Sequence, residues 1–164
     1  MIGVDILKHI VNPWYEALKN PAGAQQKVLR NLLEGYSKTV YGKAHSANEI
    51  KDGSTFRANF PTINYDGLRL YLEEVKAGNH SAILSEQPVC WGMTRGSTGK
   101  SKVLPVTKTH IEQIFLYGAR AITNYAFRKN SMDVLAGKIL NLNFPPAVTT
   151  IDSGGQKITY GYSS

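Results

Sequence analysis

The apolar positions of the first eighty residues recur at helical spacing. In "QQKVLRNLLEGY" Val28, Leu29, Leu32, Leu33 and Tyr36 lie three and four residues apart, which places them on one helix face with Gly35 near its end. "NYDGLRLYLEEVKAG" repeats the pattern through Leu68, Tyr71, Leu72 and Val75, and Gly78 is placed to stop it. The opening "MIGVDILKHIVNPW" carries Asp5 and Lys8 inside its apolar pattern. It reads as an amphipathic helix and not as a secretory leader, which sets basic residues before an apolar run. Gly42 falls in a polar stretch, and Phe60 precedes a proline that pushes it towards an extended backbone.

From residue 82 the period changes. "AILSEQPVCWGMT" has short apolar runs cut by Pro88 and predicts a strand. A glycine-rich loop follows, then "VLPV" as a second strand. Thr109 with Glu112 forms a capping box that marks the start of a long helix. Its predicted buried stripe runs through Ile111, Ile114, Phe115, Gly118, Ile122 and Tyr125 to about residue 129. "KILNL" reads as a strand, and "AVTTI" and "QKITY" as two more joined by the turn "DSGG". Helices followed by strand, loop, strand, helix and strand predict a mixed α/β layer structure. No repeat, low-complexity tract or linker divides it, so residues 1–164 are expected to form a single domain or part of one.

Composition narrows the class. At 42% hydrophobic and 19% charged the chain is an ordinary globular one. Its apolar runs are interrupted well before the roughly 20 residues a bilayer requires, so no membrane association is expected. Cys90 is the only cysteine, which rules out an internal disulfide and fits a reducing, cytoplasmic compartment. The net charge of +7 can mean a nucleic-acid partner, an attraction to anionic ligands or, as the plainest reading, a solvated basic surface. The cations are scattered, with no run of like charge and no basic helix interleaved with aromatics, so a nucleic-acid partner is not expected.

One stretch is built for chemistry. "TRGSTGKSK", residues 94 to 102, combines hydroxyl residues, two glycines, an arginine and two lysines. Its "GKS" invites a P-loop reading, but that motif needs a glycine at position 94, which holds Thr, and must open straight into a helix. Pro105 beside β-branched residues favours a strand there instead. A hairpin between two strands can wrap polyphosphate in another way. Glycines let the backbone approach, successive amides form an anion nest, and hydroxyls and a lysine complete the contacts.

That loop resembles the signature of the adenylate-forming superfamily, which contains acyl-CoA synthetases, peptide-synthetase adenylation domains and firefly luciferase. The superfamily pattern matches Thr94, Gly96, Ser97, Thr98, Gly99 and Lys102, while Arg95 stands where a second hydroxyl is usual and Ser101 where proline is commonest. The flanks "FPTINYDGLRLYLEEVKAGNHSAIL" and "KVLPVTKTHI" are similar to the plant auxin-responsive acyl-acid amido synthetases and their microbial relatives, in which serine is common at the position of Ser101. "GKILNL" and "ITYGYSS" extend the similarity, which runs from about Gln25 onward.

The resemblance implies the first part of the mixed-sheet large domain of such an enzyme, preceded by N-terminal helices. It implies a two-step, ATP-dependent reaction: a carboxylate attacks the α-phosphate to give an acyl-adenylate and pyrophosphate, and the amine of an amino acid then displaces AMP. Ser97 and Thr98 would contact phosphate oxygens, Gly96 and Gly99 would permit the turn, and Lys102 would supply compact positive charge with Lys100 at the edge. Arg95 either adds a guanidinium to the phosphates or points outwards. A Mg²⁺ ion is implied, with its ligand outside this chain. So are a C-terminal lid and further nucleotide-binding segments beyond residue 164, so activity is expected only with the missing part or a partner chain. An acyl-CoA synthetase of the phenylacetate type, with a thiol acceptor, and a structural remnant whose loop is only a turn remain as alternatives. The catalytic residue is not identifiable. Asp133 and Asp152 read as solvated carboxylates near turns, and His9, His45, His80 and His110 lack metal-ligand spacing.

Overall fold

The computed structural model describes residues 4–94, 101–138, 147–153 and 155–162. They form a mixed α/β structure with six α-helices and a four-stranded mixed sheet among the described residues. The chain divides into two compact units, one of residues 1–25 and 109–142 and the other of residues 26–108 and 143–164.

The second unit holds the sheet. Strands β1 (Pro88–Met93) and β2 (Val103–Thr107) are antiparallel, and β3 (Thr149–Ser153) pairs antiparallel with β4 (Gln156–Tyr162). The order is β2-β1-β4-β3, and the central β1–β4 pair is parallel, with Trp91 beside Tyr160. The turn between β3 and β4 needs a residue of positive φ, supplied by Gly155 at +83°, and Asp152 Oδ1 accepts the Gly155 N–H at 3.0 Å. The expected hairpin is therefore present, and Asp152 acts in its turn. The predicted strand over "KILNL" lies, from Ile139 onward, outside the described residues.

Helix α2 (Pro21–Tyr36) leads to two short helices, α3 (Val40–Ala44) and α4 (Gly53–Asn59), and then to α5 (Tyr65–Lys76). The polar stretch around Gly42 is thus helical in part, and each short helix has a side-chain cap. Thr39 Oγ1 accepts from the Gly42 N–H, and Asp52 accepts from the Thr55 N–H. Phe60 ends α4 in the extended conformation that Pro61 demands, and Gly78, at φ +98°, follows the end of α5.

The α2 face is narrower than its periodicity predicts. Leu33 is buried with Ala47 and Ile50, and Leu29, Tyr36, Phe56 and Phe60 pack against them, but Val28 and Leu32 are exposed. The α5 face holds: Leu72 and Val75 are buried. Val75 joins Ala82 and Trp91 in a second cluster, against which Tyr71, Val103, Ile158 and Tyr160 pack, so this cluster ties α5 to the sheet. Aromatic rings fill the ground between α3, α4 and α5. Tyr41 meets Tyr71 edge-on at 5.1 Å, and Phe60 lies 5.0 Å from the His45 ring. His45 Nδ1 is also 2.8 Å from the Asn59 carbonyl oxygen, so this histidine packs and ties the chain locally.

In the first unit a 3-10 turn (Val4–Leu7) runs into α1 (Lys8–Lys19), with Leu7 and Val11 buried one helical turn apart. The long helix α6 runs Lys108–Lys129, so it begins within one residue of Thr109, where the sequence sets its start. Its predicted stripe is corrected. Ile114, Phe115, Ile122 and Tyr125 are exposed, Phe115 at 71%, whereas Thr123 and Ala126 are buried. Periodicity identifies an apolar face but not what covers it, and the small Thr123 and Ala126 allow the closest approach on a neighbouring face.

Candidate functional site

The candidate site is the connection between β1 and β2. Antiparallel pairing sets Met93 opposite Val103 and Gly92 opposite Leu104, so residues 94–102 connect two neighbouring antiparallel strands. This is the setting the composition of the loop predicts, and it differs from a P-loop, which opens into a helix.

Thr94 and Lys102 close the base. The Thr94 N–H donates to the Lys102 carbonyl at 2.9 Å, and the Lys102 N–H donates to Thr94 Oγ1 at 2.9 Å. Thr94 therefore has a definite part in the loop: its hydroxyl takes the place of a backbone acceptor. Ser101 and Lys102 are exposed on the exit side. Arg95, Gly96, Ser97, Thr98, Gly99 and Lys100 lie outside the described residues.

Helix α5 reaches the same corner. Asn64 caps it by accepting the Gly67 N–H at 2.9 Å, which fixes where Tyr65 enters the helix. The Tyr65 hydroxyl accepts from the Val103 N–H and donates to the Val103 carbonyl, both at 3.3 Å. The Lys102 ammonium lies over the Tyr65 ring, 5.6 Å from its centroid. These contacts carry no sequence signal, because 38 positions separate Tyr65 from Val103. Below the loop Trp91 is 2% exposed, and its indole N–H has no hydrogen-bond partner among the described residues. Cys90 next to it is half-buried, and burial pushes its thiol pKa up, which suits a packed rather than a reactive cysteine.

Several other polar groups have structural partners. Glu73 pairs with Lys76 at 2.8 Å, and Glu74 Oε2 accepts from Asn79 at 3.1 Å. In the first unit the Arg120 guanidinium lies 4.8 Å from the Tyr117 ring and 5.7 Å from that of Trp14. No group of three His, Cys, Asp or Glu among the described residues is arranged to hold a metal ion. No helix among the described residues is long and apolar enough to cross a membrane.

Comparison with known proteins now decides the family. The N-terminal domain of the GH3 family matches residues 12–162, nearly the whole chain. The chain belongs to the GH3 family. Its relatives include the indole-3-acetic acid-amido synthetase GH3.4 of Arabidopsis thaliana, 30% identical over 105 residues that cover 63% of this chain and 18% of that protein. The indole-3-acetic acid-amido synthetase GH3.17 of the same plant is 32% identical over 97 residues, covering 57% of this chain and 16% of that protein. The jasmonoyl–L-amino acid synthetase JAR6 of Nicotiana attenuata is 26% identical over 136 residues, 80% of this chain and 22% of that protein. The chain thus spans about a fifth of the length of these curated relatives. No solved structure gives a significant match.

Proposed function

We infer that this GH3 chain supplies the polyphosphate-binding loop of an ATP-dependent amido synthetase, which adenylates a carboxylic acid and passes the acyl group to the amine of an amino acid. The observation that carries this reading is the closed base: two antiparallel strands hold Thr94 and Lys102 together, and successive amides and hydroxyls carried between two such fixed ends can serve as an anion nest. The names of the relatives reported above, amido and amino acid synthetases, favour an amine over a thiol acceptor.

In this reading Ser97 and Thr98 hold β- and γ-phosphate oxygens, Gly96 and Gly99 let the backbone approach, and Lys102 places a cation where charge gathers on the departing pyrophosphate. Lys100, Arg95 and Ser101 line the rim. Such positioning acts on the transition state, since negative charge on the leaving group is greatest there. Mg²⁺ would neutralise phosphate charge when bound, with ligands other than the described residues.

The test is carboxylate-dependent exchange of pyrophosphate into ATP by the full-length protein. Lys102→Ala is expected to lower kcat/KM by about 10²–10³, the usual cost of one oriented electrostatic partner. Lys27→Ala, an exposed lysine on α2, serves as the control and should change little. Equal rates for the two variants would leave residues 94–102 as a structural turn. AMP release that depends on coenzyme A and not on an amino acid would move the assignment to the thiol-accepting alternative.

A further inference from the structure

The Tyr65 contacts combine two features that a structural tyrosine would not need together. Among the described residues β2 is an edge strand, with β1 on one side only. Backbone groups alternate along an antiparallel strand, so one residue in two directs both its N–H and its C=O away from the partner. Lys102 points inwards, since its backbone bonds Thr94, and Val103 therefore points outwards. The Tyr65 hydroxyl meets both outward groups of Val103 and takes the place of a missing neighbouring strand. The same side chain lays its ring beneath the Lys102 ammonium. A lysine stem has four rotatable carbons, so an exposed ammonium without such a support samples many positions.

We propose that Tyr65 is a positioning residue of the phosphate loop: its hydroxyl fixes the first backbone groups of β2 and its ring holds the Lys102 ammonium at the loop exit. This rests on the polyphosphate reading of residues 94–102. Substrate phosphate is then met by a cation already in place. An exposed cation over an aromatic ring is worth about two- to five-fold in an equilibrium constant.

Two measurements on the full-length protein separate the proposal from that reading. The first is the NMR shift of the Lys102 ε-methylene protons, which the Tyr65 ring current displaces upfield. The displacement is expected in the wild type, kept in Tyr65→Phe and lost in Tyr65→Leu. Its absence from the wild type overturns the proposal without any variant having to fold. The second is calorimetric binding of inorganic tripolyphosphate. Tyr65→Leu should weaken it about two- to five-fold when Lys102 is present and not at all in a Lys102→Ala background. Tyr65→Phe, which keeps the ring but loses the hydroxyl bonds to Val103, should fall between Tyr65→Leu and wild type. Equal weakening in both backgrounds overturns the proposal while the loop reading stands. No tripolyphosphate binding by the wild type overturns both.

Discussion

Thr39 shows how much of the N-terminal framework hangs on one buried hydroxyl. Its side chain is fully buried. Its Oγ1 accepts the Gly42 N–H at 2.9 Å and donates to the Tyr36 carbonyl at 2.9 Å, so it both caps α3 and ties that helix to the end of α2. Thr39→Val keeps the volume and suits the backbone, which is extended at φ −99° and ψ 158°. The Tyr36 carbonyl keeps the Thr39 N–H at 2.8 Å. The Gly42 N–H, in a buried residue, loses its partner. An unsatisfied buried donor costs about 1–3 kcal/mol, and loss of an N-cap about 0.5–2. The two describe the same bond and do not add, so the expected cost is about 2 kcal/mol. Thr39→Ser keeps the hydroxyl and removes one methyl, costing about 0.8 kcal/mol. Urea unfolding of the full-length protein measures both. With a slope of about 2 kcal/mol per molar, valine lowers the midpoint by about 1 M and serine by less than half that. A serine variant as unstable as the valine variant would refute the reasoning, because the methyl packing and not the cap would then carry the energy.

Two glycines should respond in opposite directions to alanine. A Cβ on Gly42 would lie 2.0 Å from the Tyr36 carbonyl oxygen and 2.5 Å from its carbon, backbone atoms that cannot rotate away. Gly42→Ala is therefore expected at the upper end of the roughly 1–3 kcal/mol that overpacking costs. Gly118, inside α6, has nothing within 4 Å of a Cβ, and Gly118→Ala should stabilise by about 0.5–1 kcal/mol; thermal unfolding of both variants checks the signs. Asp52 is held at a pKa of about 2, below the ordinary 3.8, first by the Ser54 hydroxyl and then by the Thr55 N–H and hydroxyl. A depressed folded-state pKa gives stability that is present above about pH 4 and lost as pH falls towards 2. NMR titration of the Asp52 carboxyl should find its midpoint near 2, and a midpoint near 3.8 would mean that the capping bonds do not form in solution.

Elements long enough to show a period were legible in the sequence. Those that depend on a single side chain were not. The twelve residues of α5 display their stripe, and Leu72 and Val75 are buried as the spacing requires. The five residues of α3 and seven of α4 make fewer than two turns each, too short for a period to register. Their signal lay in the caps instead: Thr39 three residues before Gly42, and Asp52 three before Thr55. Along α6 the period was real and the burial was not, because Phe115 and Ile114 fall on one face whatever lies beside it. In the site, the strand before the loop could be read from short apolar runs cut by Pro88, and the strand after it from Pro105 beside β-branched residues. Pro105 shares the outward direction of Val103 on this edge strand, so its missing N–H breaks no ladder bond. Tyr65 could not be read this way, since only the fold brings α5 to the start of β2.

If the loop binds polyphosphate as proposed, the strand on each side of it also accounts for its composition. A phosphate bound at a helix N-terminus meets aligned peptide dipoles equivalent to about half a positive charge. A turn between two strands has no such dipole, because strand dipoles largely cancel. Its amides can make a nest, but net positive charge must come from side chains. On the proposed reading that requirement is met by Arg95, Lys100 and Lys102 within nine residues, where a P-loop manages with one lysine. Side-chain charge carries a cost in mobility that a helix dipole does not. A hairpin loop therefore benefits from fixed ends more than a P-loop does. The closed Thr94–Lys102 base and the Tyr65 clamp on Val103 are the parts of this structure that fix them.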